Sequence, residues 1–133
     1  MALKWYTVVV DCLEPQAQAH WCAEALDWEV VYDTPDEAVA IPKGMSEDPV
    51  ADLDVWMARG QGLVVVPVPE GKTLENRRHV ALAPHTSQDR DAEIARLVEL
   101  GASTVDVGQV PDVTWTVLAD PEGNEFCVLS ARD

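Results

Sequence analysis

The chain is short of positive charge, of cysteine and of long apolar runs, and each shortage bears on function. Only 9 of its 133 residues are Lys or Arg against 24 Asp or Glu, for a formal net charge of −15. A nucleic-acid site needs a basic stripe to neutralise phosphates; none is present, so nucleic-acid binding is disfavoured. Three cysteines, an odd number, give no disulfide framework and fit a reducing compartment. The opening MALKWYTVVVDC lacks a signal-peptide h-region and cleavage site, and no stretch approaches membrane-spanning length. These shortages together predict a soluble cytoplasmic protein with no membrane partner.

The excess of acid leans toward the first half: residues 1–75 hold 14 acids and 4 bases, residues 76–133 hold 10 and 5. Its ordinary reading is a solvated surface. Its sharper reading is a negative field that draws a cationic ligand into a cleft. What the chain does have is apolar content, 47% of residues, enough for the core of one domain or of two small halves sharing one. It also has five tryptophans, more than a core of this size needs.

The pattern along the chain repeats. WYTVVVDC (5–12) has the β-branched and aromatic content of a strand, and Glu14-Pro15 marks a helix start with proline at its first position. Ala17, Trp21, Ala25 and Trp28, with Cys22 and Leu26 beside them, predict one apolar helix face, so Trp21 and Trp28 are assigned to the helix–sheet core. WEVVYD (28–33) and EAVAIP (37–42) follow as strands. A short helix is predicted within 50–59, then a strand GLVVVPV (62–68) whose Pro67 points to an edge or a bulge. PEGKTLEN (69–76) reads as a linker. RRHVALA (77–83) is the next strand, and Ser87 or Asp89 caps a helix with Ile94, Leu97 and Val98 on its apolar face. STVDV (103–107), VTWTVLA (113–119) and EFCVLS (125–130) complete the set. Between the last two, DPEGNE is a tight hairpin turn in which Asp120 accepts from the backbone two residues on. Strand-plus-helix units recur at an offset of 74 residues, so the expected fold is α+β: two βαβββ modules forming a curved mixed sheet around a central cleft, in a single domain. Module one is expected over 1–70, the linker over 69–76 and module two over 76–133.

That doubled order, with NRRHVAL opening the second half, DRDAEIARLVELGA after it and WTVLADPEGNEFCVL at the end, resembles the glyoxalase / bleomycin-resistance / dioxygenase group, the vicinal oxygen chelate superfamily, in its glyoxalase-like domain branch. Members include isomerases, epimerases, dioxygenases, thiol transferases and non-catalytic drug-binding proteins, so the resemblance implies a fold more than a reaction. In the metal-using members it implies two ligands from each module, one early in the first strand and one in the last. The first-strand position of module two falls on His79, and the last-strand position, where a glutamate is usual, falls on Cys127. In module one the corresponding places are Trp5 or Thr7 and Val66 or Val68, which offer no credible set for a divalent ion. No cofactor and no metal site are therefore expected, with a zinc site of His79, Cys127 and Glu70 as the minor alternative.

Strand parity puts Glu125, Cys127 and Leu129 on one face. His79 reads either as a partly buried, hydrogen-bonded histidine or as a ligand contact and acid/base; Cys127 reads as a small buried hydrophobe, with a Cys127/His79 dyad as the sharper alternative. Glu125 is the best-placed carboxylate for acid/base work. Trp5, Trp56 and Trp115 can line an aromatic pocket, and the inward member of Arg77 and Arg78, taken as Arg78, can pair with a ligand carboxylate or with Asp11. The candidate catalytic residues are thus His79 and Glu125, and the candidate ligand-binding residues Trp5, Thr7, Trp56, Arg78, His79, Trp115 and Cys127. His20 and His85 are expected at the surface. Four functions compete: a protein that binds a cationic or aromatic small molecule, a metal-independent isomerase or lyase using His79 or Glu125, an atypical zinc enzyme, and a domain sealed in a complex without pocket chemistry. A homodimer is what the resemblance implies.

Overall fold

A computed structural model describes residues 4–45, 48–74, 76, 79–105 and 114–131. The chain divides into two compact units, Met1–Gly71 and Lys72–Asp133. Unit one runs β1 (Thr7–Cys12), α1 (Pro15–Leu26), β2 (Trp28–Asp33), β3 (Ala38–Pro42), α2 (Leu53–Ala58) and β4 (Gly62–Pro67). Unit two runs β5 (Val80–Leu82), α3 (Arg90–Glu99), β6 (Ser103–Thr104), β7 (Thr116–Ala119) and β8 (Glu125–Val128). Each holds an open four-stranded mixed sheet, ordered β1-β4-β3-β2 and β5-β8-β7-β6, whose first strand lies parallel to its last. Unit two is therefore βαβββ and unit one is the same with the short α2 inserted before its last strand, and the fold is α+β. No helix among the described residues is long and apolar enough to cross a membrane.

In unit one the helix meets the sheet through small side chains. Proline at the first position fixes φ for the opening turn of α1 and gives up only an N–H that has no intrahelical acceptor. The helix buries Pro15, Gln18, Ala19, Cys22, Ala23 and Ala25, and Ala19 packs with Cys12, Ala38 and Val65 in a cluster at most 2% exposed. This differs from the expected Ala17–Trp21 face: Ala17 is exposed, and Trp21 and Trp28 are only half-buried. Alanines and cysteine let backbone approach backbone closely, a spacing that two indoles at the contact would prevent. Asp27 then ends the helix in the left-handed region, at φ 56°, its N–H donating to the Ala23 carbonyl.

Pro67 also departs from expectation, because β4 is an interior strand. The proline pairs in register with Cys12 of β1, whereas β3 reaches only Leu63 to Val65 of β4. Its missing N–H therefore falls where no neighbour on the β3 side needs a donor.

Unit two is packed by larger residues: Leu118 is fully buried, with Phe126, Val128 and Leu97 of α3 also buried. Asp89 caps α3, accepting from the N–H groups of Asp91 (3.0 Å) and Ala92 (3.2 Å). Val98, expected beside Leu97, is exposed, since adjacent helical positions lie about 100° apart. Arg90 ties the helix start to the sheet, donating to the carbonyls of Leu129 (3.1 Å) and Val128 (3.0 Å) and to Thr116 Oγ1 (2.7 Å). The β7–β8 turn closes on Asp120, which accepts from the N–H groups of Glu122 and Asn124 and from the Asn124 amide, while Gly123 takes φ 88°.

Candidate functional site

Register builds the site in unit two. Cys127 on β8 pairs with Ala81 of β5 on one side and with Val117 of β7 on the other, so three small or medium side chains form one row across the sheet. One strand step along, on the same face, come His79, Glu125, Leu129 and Trp115. Together with Asn76 these residues line a cavity of about 340 Å³. Cys127 and Val117 are buried at its floor, whereas Trp115 is 40% exposed and His79 is exposed at its rim. The sequence assigned His79, Trp115, Glu125 and Cys127, the last two from one strand, and all four line this one cavity.

Glu125 is held from both sides. Lys72 Nζ donates to Oε1 at 2.7 Å, the Asn76 backbone N–H donates to Oε2 at 3.0 Å, and the Asn76 amide donates to the Glu125 carbonyl at 3.2 Å. Lys72 also donates to the Leu74 carbonyl. Burial alone would raise the Glu125 pKa, but the hydrogen bond from Lys72 and those from the backbone outweigh it, and the carboxyl is held below its ordinary value. The group stays ionised with its charge compensated by a cation. The segment read as a plain linker is thus the strap that pins this carboxylate.

Burial pushes the Cys127 thiol up, so it is a neutral S–H at neutral pH. The His79 ring has no hydrogen bond among the described residues, in contrast to the partly buried, bonded histidine that was one expectation. The metal implied by the resemblance can be tested against these donors: a protonated thiol, a carboxylate already bound by a lysine and a backbone N–H, and one exposed imidazole do not fit a divalent ion. No three His, Cys, Asp or Glu among the described residues come together as a metal-holding group.

Unit one carries a second cavity, of about 570 Å³, on the face of its sheet away from α1. Thr7 pairs with Gly62, and Val39 with Val64, and all four line it. Thr7 Oγ1 donates to the Gly62 carbonyl at 2.9 Å. Gly62 keeps the floor low, because a Cβ there would stand 3.0 Å from Ile41 Cγ2 and 3.1 Å from the Ala40 carbonyl. The wall is Trp56 of α2, stacked against Tyr6 with centroids 6.5 Å apart and planes inclined at 29°. Lys4 Nζ lies 4.8 Å from the centre of the Trp56 ring and donates to the Trp56 carbonyl.

Thr7 and Trp56 therefore share a cavity in unit one, while Trp5 is 70% exposed and lines neither cavity. Arg78 and Arg77 lie outside the described residues. His20, hydrogen-bonded to Asp33 at 2.7 Å, and His85, bonded to Ser87, are exposed. Sequence reasoning missed Lys4, Tyr6, Arg59 and Lys72. The alternating pair Lys4 and Tyr6 just ahead of β1 was the available signal for the first two, whereas Arg59 and Lys72 carried none.

The family profile described as the glyoxalase-like domain matches residues 7–129. A glyoxalase/bleomycin resistance protein/dioxygenase family enzyme from Burkholderia phytofirmans PsJN is similar in structure, with a TM-score of 0.68, 12% identity, and 98% of this chain and 100% of that one covered. The fosfomycin resistance protein FosX from Listeria monocytogenes, complexed with Mn(II) and sulfate, has a TM-score of 0.68 at 10% identity, covering 99% of this chain and 93% of its own. A bleomycin-binding protein from Streptomyces verticillus, complexed with copper(II)-bleomycin, has a TM-score of 0.58 at 16% identity, covering 99% and 100%. At these identities the likeness is one of fold. No curated protein matches the chain.

Proposed function

We propose, from the premise that the chain belongs to the glyoxalase-like domain family, that it binds a flat, mainly apolar small molecule in the unit-two cavity without a divalent metal. The observation that carries this reading is the floor of that cavity: a neutral thiol, Cys127, between Ala81 and Val117, with Trp115 on the same lining. Aromatic surface supplies contact area at small cost in side-chain entropy. Of the two ligand types the sequence suggested, this cavity favours the aromatic one over the cationic, because Lys72 already neutralises Glu125. That a solved relative is complexed with copper(II)-bleomycin agrees with a binding role.

A second reading rests on His79, whose exposed ring is uncommitted among the described residues and able to move a proton beside a ligand carbonyl. Glu125 is the weaker acid/base, since both its oxygens accept hydrogen bonds. A cytoplasmic homodimer, in which the two units make one domain, completes the proposal.

Native mass spectrometry of freshly purified protein, followed by tryptophan quenching with any retained compound, tests it. A retained organic ligand, less than a tenth of an equivalent of metal, and quenching weakened by Trp115→Leu are expected. A stoichiometric divalent ion, or quenching indifferent to Trp115→Leu, would sink the reading. His79→Ala separates the two versions: in a binding protein the ligand emerges unchanged with or without the histidine, whereas in an enzyme turnover is lost and binding kept.

A further inference from the structure

The unit-one cavity differs from its counterpart in the charges that line it. Among the described residues four charged ones line it, and their exposure separates them by sign. Lys4 and Arg59 are half-buried, whereas Glu37 and Asp48 are exposed. Ion pairs formed out of solvent are screened much less than those in bulk water, so the two cations dominate what a bound molecule experiences. The Lys4 ammonium is fixed over the Trp56 ring, and the Arg59 guanidinium is fixed through one nitrogen, which donates to the Asp48 carbonyl at 2.7 Å. A guanidinium has five N–H donors, and the others of Arg59 have no partner among the described residues. The geometry that remains is a planar aromatic wall of Trp56 and Tyr6, an apolar floor of Val39, Ile41 and Val64, and a fork of donors suited to a bidentate oxyanion.

From this arrangement we infer that the unit-one cavity binds an aromatic carboxylate, its ring laid along Trp56 and Tyr6 and its carboxylate held by Arg59 and Lys4. This runs against the chain's net charge of −15, which alone would favour a cation. The deciding magnitude is range. At physiological salt the field of carboxylates outside the cavity decays over roughly 8 Å, while the two cations would touch the ligand directly, and Glu37 and Asp48 on the lining are the more exposed to solvent.

The test compares three probes of one ring system, 2-naphthoate, 2-naphthamide and 2-naphthylmethylamine, by titration calorimetry on the whole protein at physiological salt. The acid is expected to bind about tenfold tighter than the amide, with the amine weakest, as one charge-assisted hydrogen-bonded contact implies. Arg59→Gln should erase the preference for acid over amide. Trp56→Leu should weaken all three by about tenfold. Neither substitution threatens the core, since α2 buries no residue. Arg96→Gln, which removes the same charge from a helix in unit two, should change nothing. An amine that binds as tightly as the acid, no binding of the acid, or an acid-to-amide ratio unmoved by Arg59→Gln would each overturn the assignment.

Discussion

The two units follow one chain path and solve its packing problem by opposite means. In unit one the helix is brought down onto the sheet by alanines and cysteines, and Ala38 and Ala19 at the contact are 0% and 1% exposed. In unit two a leucine and a phenylalanine fill the interior, and a single arginine, Arg90, fastens the helix start to three oxygens of the sheet. Close backbone approach leaves no spare volume; bulky filling leaves a hole when it is removed. Each unit is therefore most sensitive to the change its counterpart tolerates.

The sharpest way to break this comparison is to empty unit two. Leu118→Ala removes a fully buried side chain from a central strand and should cost about 3 kcal/mol, read as a lower urea midpoint with an unchanged slope. A cost below that of an exposed leucine would mean the interior collapses around the gap. The converse change is to overfill unit one: Ala38→Leu should cost about 2 kcal/mol and speed amide exchange in α1 before β4, because the helix is the element able to retreat. Equal exchange throughout the unit would remove the special status of this seam.

The smallest effect is the one with a pH signature. Lys72→Met leaves the Glu125 carboxylate without its cation and should cost about 1 to 2 kcal/mol at pH 7. Because Glu125 is held below its ordinary value, its contribution is complete above the unfolded pKa and is lost as pH falls through the folded one. The gap between wild type and variant should therefore close in acid. Chemical denaturation at pH 7 and again at pH 3 checks this, and a gap independent of pH would show that the lysine acts only through its packing.

Much of this architecture was legible because it is local. Proline at the start of α1, the Asp89 cap, and the Asp120 turn are each set by residues within five positions of one another, and alternation alone placed Glu125, Cys127 and Leu129 on one face. The misreadings arose where two periodicities overlap or where contacts span the chain. Cys22 and Ala25 lie on the buried face as expected, but Pro15 and Ala19 complete it in place of Ala17 and Trp21, and that choice is made by the sheet, which admits the smaller side chains. Lys72 meets Glu125 across 53 positions and Lys4 meets Trp56 across 52, separations at which a single sequence shows no pattern. The strap over β8 and the aromatic wall were illegible for that reason.

The turn at Asp120 has a consequence for the cost of assembling unit two. Its carboxylate takes three donors from its own loop, so β7 and β8 are brought together by closing a handful of residues. The parallel pairing of Val80 with Phe126 must instead close a loop spanning most of the unit, with a correspondingly larger loss of chain entropy. The face that carries both His79 and Cys127 exists only once that long closure is made, so the stretch between β5 and β7 sets the entropic threshold for having the unit-two cavity.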